Sequence, residues 1–219
     1  AGLERAVAFV ERLAERGGTL LFVGTKRQAR AIVKKEAERC GMPYVTTRWL
    51  GGTFTNFPTI LKSIEKRSLL AEKLASPDAA LLTKKDRQKM QKEIERLETV
   101  LEGLKTLRKV PDAVFLVGSH DEKLAVKEAQ RIDIPIVAVA DTNADPTGID
   151  YVIPGNDDAV RSIHVFVRTI ADAVLKGRAA QVTAGSGQPS VTASPVDSPQ
   201  PTAPAAALPV PAGETSPVL

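Results

Sequence analysis

Hydrophobic positions in this chain recur at two periods, and the points where one gives way to the other mark the elements. Leu3, Val7, Val10, Leu13 and Ala14 step by three and four with charges between them, which predicts a helix ending at Gly17-Gly18. From Thr19 to Thr25 the chain is apolar and continuous up to a glycine, the pattern of a strand covered on both faces. Helical spacing returns from Lys26 to Cys40 through Ala29, Ile32, Val33 and Ala37, and Tyr44–Thr47 reads as a second strand. Past residue 110 the alternation resumes. It gives a strand over Ala113–Val117, a helix over Glu122–Arg131, strands over Ile134–Ala140 and Tyr151–Ile153, and a last helix from Asp157 to about Lys176. Strands alternating with helices predict an α/β fold, a doubly wound and mainly parallel sheet.

Between residues 56 and 110 the pattern is helical only. Phe57, Ile60, Ile64, Ala71 and Leu74 form one stripe, interrupted by Arg67. Met90, Ile94, Leu97, Leu101 and Leu104 form a second, stepping by four and three as a heptad seam, and Thr83 with Asp86 makes a capping-box start. Ser76-Pro77-Asp78 separates the two arms, so an antiparallel coiled-coil hairpin over 57–108 is expected to project from the sheet domain, which takes 1–56 and 109–178. From 179 to 219 the chain holds eight of its fifteen prolines and no Lys or Arg, the composition of a disordered tail.

Charge divides along the same boundaries. Residues 1–56 carry ten Lys/Arg against five Asp/Glu and residues 57–109 thirteen against eight, whereas 110–178 carry seven against eleven. The basic first half points to a polyanionic partner. Cys40 is the sole cysteine and His120 and His164 the only histidines, so neither an internal disulfide nor a Cys/His zinc centre is expected. No apolar run has membrane-spanning length and the N-terminus lacks a secretory pattern, which favours a cytoplasmic setting without a membrane partner.

Three stretches are candidates for chemistry. Val23-Gly24-Thr25-Lys26 passes from strand to helix and offers backbone N–H groups to an anion, but has neither phosphate-loop fingerprint. Gly118-Ser119-His120-Asp121 lies at a strand end, where open α/β sheets place ligands; adjacent Ser and His side chains diverge, however, and no third catalytic group is identifiable. Asp141, Asp145, Asp150 and Asp157 offer magnesium ligands, although capping and turns account for them more simply. No metal or cofactor is assigned. The fourth feature is the junction Arg48-Trp-Leu-Gly-Gly-Thr-Phe-Thr-Asn-Phe-Pro58. Its glycines permit a tight path, Thr55 or Asn56 caps the next helix, and Trp49 either packs at the base of that helix or offers its face to a partner.

This junction resembles the RWLGGTxTNF signature of the small ribosomal subunit protein S-two family. The resemblance continues through Phe22–Ala29, Pro111–Val117, Glu128-Ala129, Ile134–Val137, Asp141–Pro146, Ile149–Asp158 and Ala159–Ile163, and covers residues 1 to about 178. It implies a non-catalytic protein of the small ribosomal subunit that binds small-subunit rRNA, contacts neighbouring ribosomal proteins and helps dock the mRNA-binding protein S-one. Family members begin several dozen residues earlier, so a missing edge strand is also expected. On this reading Lys26, Arg27, Arg30, Arg48, Lys62, Lys66, Arg67, Lys84, Lys85, Arg87, Lys89 and Lys92 contact rRNA. Trp49, Gly51, Gly52, Asn56 and Phe57 fix the hairpin base. Two alternatives remain: a sugar-phosphate or nucleotide enzyme using Gly24-Thr25 with Asp141 or His120, and a protein-docking module with no RNA role.

Overall fold

The computed structural model describes residues 2–76 and 83–185. In chain order the elements are α1 (Gly2–Glu15), β1 (Leu20–Val23), α2 (Arg27–Cys40), β2 (Tyr44–Val45), α3 (Phe57–Ala75), α4 (Lys84–Leu101), a 3-10 turn (Glu102–Leu104), β3 (Ala113–Val117), α5 (Lys123–Arg131), β4 (Ile136–Ala140), β5 (Tyr151–Pro154) and α6 (Val160–Gly185). The five strands pair in the order β2-β1-β3-β4-β5, every pair parallel. This is the doubly wound order in which the chain reverses direction across the sheet between β1 and β3.

The continuous apolar runs are explained by two cores, one on each face. Along β1, Leu20 and Phe22 face the core shared with α1, α2 and α6, while Leu21 and Val23 face the one shared with α3, α5 and the 3-10 turn. The strand period of two divides β3 in the same way: Phe115 meets Phe22 edge-on at 5.5 Å on the first side, and Val114 and Leu116 pack on the second. All four residues of β1 and all five of β3 and β4 are buried, so no position along them can alternate to polar.

The hairpin region departs in sequence between β2 and β3. α3 packs against α4, with Ile60, Ile64, Ile94 and Leu101 buried and Leu97 half-buried. Thr83 caps α4: its Oγ1 accepts the Asp86 N–H at 3.2 Å and donates to Asp86 Oδ2 at 2.7 Å. Lys66 pairs with Glu93 at 2.8 Å and Arg67 with Glu98 at 2.5 Å across the two helices.

Several boundaries differ from the sequence expectation. The second strand is two residues long, because Thr46 and Thr47 already leave the sheet and Thr47 Oγ1 donates to the Thr99 carbonyl. The last helix starts at Val160, since Asp157 is buried in an ion cluster, and it runs to Gly185. Residues 179–185, expected to open a disordered tail, are therefore helical. Ala179 and Ala180 are strong helix formers, and nothing stops the helix before the glycine and proline that follow. Residues 186–219 and the Pro77–Leu82 connection lie outside the described residues.

Candidate nucleic-acid interface

The junction between β2 and α3 is built around a carboxylate that arrives from α5. Gly52 adopts φ +88°, a conformation open to glycine, and the next residues fold tightly, with Thr53 Oγ1 donating to the Leu50 carbonyl at 2.6 Å and the Asn56 N–H to the Gly52 carbonyl at 2.9 Å. This path aims several donors inward. Glu128 sits at their focus, 6% exposed. Its Oε1 accepts the Trp49 indole N–H at 3.1 Å and the Gly52 N–H at 2.8 Å, and its Oε2 accepts the N–H groups of Phe54 at 3.0 Å and Thr55 at 3.3 Å. Burial pushes the Glu128 carboxyl up, but the N–H groups of Gly52, Phe54, Trp49 and Thr55 together outweigh it and hold the group below its ordinary value.

Trp49 is thereby committed to the interior. Its ring meets Phe54 edge-on at 4.9 Å, so it does not present a face to a partner. Phe57 is buried at the start of α3, and Asn56 stands at the cap position, its Oδ1 accepting the Thr59 hydroxyl at 2.9 Å rather than a backbone N–H. Gly51 is exposed. Glu128 escaped the sequence reading as an organiser of this loop. The signal was present: on amphipathic α5 it falls beside Ala129 and three residues after Ala125, on the stripe that is otherwise buried, and a carboxylate there requires donors.

At the reversal point between β1 and β3 the sheet has no open anion site. Lys26 projects into it and is held by Asp157 and Asp158 at 2.8 Å each and by Asp121 at 3.0 Å. Burial lowers the Lys26 pKa, but the hydrogen bonds to Asp157, Asp158 and Asp121 outweigh it, and the group ends well above its ordinary value. Glu122, also buried, accepts the Thr25 N–H at 2.9 Å, the donor a bound phosphate would have needed. Gly118, at φ +86°, passes close over the cluster; a Cβ there would stand 2.7 Å from Asp157 Oδ2. The crevice is thus filled by the protein's own charges, with carboxylates outnumbering the one ammonium. Lys26, expected among the RNA contacts, is engaged in this structure by three carboxylates. Ser119 Oγ is buried without a hydrogen-bond partner, so no bond joins it to the exposed His120.

The remaining expected contacts separate by environment. Arg27, Arg48, Lys62, Lys84, Lys85, Arg87, Lys89 and Lys92 are exposed. Among the described residues none of these eight is ion-paired. Arg30 is exposed too, its Nε donating to the Thr25 carbonyl at the start of α2. Lys66 is exposed and paired to Glu93. Arg67 has a different environment. Its side chain is 18% exposed and points into the α3–α4 contact, where Glu98 holds it, because its place in the helical stripe is a seam position and not an outer one. Lys66, Lys89 and Lys92 line one groove of about 680 Å³ along the hairpin, floored by Leu70 and Met90.

The loop aspartates act as turn and edge caps. Asp141 Oδ1 accepts the Thr142 N–H, Asp145 Oδ1 the Thr147 N–H and Asp150 Oδ2 the Ile136 N–H. Among the described residues no three His, Cys, Asp or Glu side chains gather as a metal-binding group, and no helix is long and apolar enough to cross a membrane.

Comparison with known families gives a match to the model for ribosomal protein S2 over residues 1–177. The chain belongs to this family. Its relatives include the small ribosomal subunit protein uS2 of Thermus thermophilus, 48% identical over 176 residues, which cover 80% of this chain and 69% of the relative. The small ribosomal subunit protein uS2 of Acidobacterium capsulatum is 48% identical over 172 residues, covering 78% of this chain and 57% of the relative. The family match takes in the sheet, the Glu128-centred junction, the Lys26 cluster and both hairpin helices, and it stops within α6.

Proposed function

We propose that this protein is a non-catalytic structural constituent of the small ribosomal subunit, held on small-subunit rRNA by its exposed cations and working in translation in the cytoplasm. The observation that carries the reading is the start of α4. Lys84, Lys85, Arg87, Lys89 and Lys92 stand exposed there against one acid, Asp86, whose side chain is engaged by Thr83. Unpaired, fully hydrated lysines along a projecting helix suit phosphate contacts, which need charge and reach more than fixed geometry. Arg27, Arg30 and Arg48 extend this basic set onto the sheet domain, and the Glu128 junction sets the direction in which the hairpin leaves it. The self-filled crevice at Lys26 supports the same conclusion from the other side, since a sugar-phosphate or nucleotide enzyme would need that position for its substrate. Family membership brings neighbouring ribosomal proteins as partners, and docking of the mRNA-binding protein S-one is part of the proposal.

The test is incorporation into small subunits depleted of their own copy, followed by cosedimentation across a salt series. Replacing Lys84, Lys85, Arg87, Lys89 and Lys92 by Ala should weaken incorporation and flatten the salt dependence by about 0.7 to 0.9 in log-log slope for each phosphate that is no longer neutralised. Unchanged affinity and slope would remove the hairpin from the rRNA interface.

A further inference from the structure

Among the described residues, a groove apart from the junction and the hairpin has a basic wall. It lies at the carboxyl ends of β3 and β4, between the first turns of α5 and the β4–β5 loop, and has a volume of about 550 Å³, within the range of nucleotide-sized pockets. One wall carries Lys123 and Lys127, four residues apart and therefore on one face of α5, and His120 from the turn that precedes the helix. All three are exposed, and among the described residues none is ion-paired. Val126 contributes an apolar, half-buried patch between the two lysines. The opposite wall carries Asn143 and Asp145.

That loop wall is held in place before any ligand arrives. Gln130 Nε2 donates to the carbonyls of Thr147 and Gly148, Asp145 takes the Thr147 N–H, and the Asp141 carbonyl takes the Ala144 N–H. The Thr147 hydroxyl and N–H hold the Asp145 carboxyl below its ordinary value, so it is ionised at neutral pH. The groove is thus cationic on one side and amide and carboxylate on the other, the opposite balance to the acidic Lys26 cluster nearby.

We infer that this groove binds a single unpaired nucleotide, with its phosphate on Lys123, Lys127 and His120 and its base edge on Asn143 and Asp145. Lysine and histidine supply the charge that a phosphodiester needs. Asn143 offers a donor and an acceptor together, and the Asp145 carboxylate accepts N–H groups, so guanine, whose N1–H and N2–H2 lie side by side, is preferred over uracil, whose one edge donor stands between two carbonyls. Val126 gives the base face an apolar surface. Unpaired nucleotides are the form in which RNA exposes its base edges to protein. The inference rests on the rRNA-binding reading above and adds to it a second contact, on the sheet domain, that reads a base where the hairpin reads only charge.

The same chemistry is carried by an rRNA nucleotide and by a free mononucleotide, and the experiment separates them. The full chain is titrated with labelled single-stranded RNA pentamers differing in the central base, and separately with GMP, AMP, CMP and UMP. Binding is followed by anisotropy and by NMR shifts of the Asn143 side-chain amide and the Val126 methyls. The expected result is movement of both signals with the pentamers and a several-fold preference for guanosine over uridine at the central position. Lys123→Ala/Lys127→Ala should weaken binding about tenfold or more and reduce the salt slope by about 0.7, the single-strand value for the one phosphate they share. Asn143→Ala should abolish the base preference and leave the slope. These side chains are exposed, so circular dichroism should show all variants folded. Signals that stay still with every ligand overturn the inference. Signals that respond to mononucleotides but not to pentamers overturn the RNA assignment. If the groove is silent while the wild-type chain still enters depleted subunits, only this inference falls; if incorporation fails, the rRNA reading falls with it.

Discussion

Replacing Glu128 tests whether one carboxylate holds the junction between the two parts of the molecule. Glu128→Ala leaves the indole N–H of Trp49 and the N–H groups of Gly52, Phe54 and Thr55 without their acceptor in a site that is almost closed to water. A buried donor stranded in this way costs about 1 to 3 kcal/mol. Four such donors do not add in full, because the loop relaxes and admits water, so a net loss of about 3 to 5 kcal/mol is expected. Glu128→Gln keeps one oxygen as acceptor and loses the charge, for about 1 to 3 kcal/mol. With a urea dependence of about 1 to 3 kcal/mol per molar, the alanine variant should unfold at least about 1 M earlier. Trp49 is the only tryptophan, so its fluorescence reports this junction directly, and far-ultraviolet circular dichroism reports the whole chain. The alanine variant should show a red-shifted Trp49 emission. The pH dependence has a definite sign. The Glu128 pKa is lowered on folding, so its contribution is present in full above the ordinary value of 4.5 and disappears as pH falls through the lowered folded value. An alanine variant with wild-type urea midpoint and wild-type Trp49 emission would refute the assignment of Glu128 as the organiser of the loop.

Three further outcomes follow from the geometry. Lys26→Ala strands Asp157, which is 1% exposed, and should cost about 3 to 5 kcal/mol in urea unfolding; if Lys26 is not an RNA contact, the salt slope of subunit binding should stay as in the wild type. Cys40 is buried and its thiol is pushed up to about 11 by that burial, so it should resist alkylation at pH 8 in the native protein and react at once in denaturant. Truncation after Arg178 removes helical residues of which 179–183 are exposed and should shift Tm by a few degrees at most. Extending the truncation to include Arg178 should cost more, because its guanidinium caps the Cys40 and Gly41 carbonyls at the end of α2.

The elements were legible because burial leaves a period. β3 was placed to the residue, since Ala113–Val117 is apolar without a break and bounded by polar turns. The Thr83–Asp86 cap and the alternation of strands and helices were readable for the same local reason. What escaped was long-range. Glu128 bonds to residues 73 to 79 positions earlier, and Lys26 to carboxylates 131 and 132 positions later; no local spacing announces either. Each is a charge whose sequence neighbourhood looks like a solvated helix face or a phosphate-binding turn until the fold closes around it. Arg67 differs in kind: a lone cation in an apolar stripe reads as an outward residue by its charge, although its phase in the stripe puts it in the seam. The end of α6 escaped because a tail composition reaches back over residues that simply continue a helix already packed on α1 and α2.

The Glu128 junction also fixes an order of events during synthesis. Helices α3 and α4 are synthesised whole before the carboxylate that anchors the junction has been made. At about 5 to 20 residues per second, the roughly 75 residues between Phe54 and Glu128 take about 4 to 15 seconds. For that interval Trp49 and the glycine loop lack their acceptor, and α3 and α4 follow a joint that is not yet set. The sheet must gain β3 and α5 before the junction has its anchor, so α3 acquires its direction only after both α3 and α4 are complete.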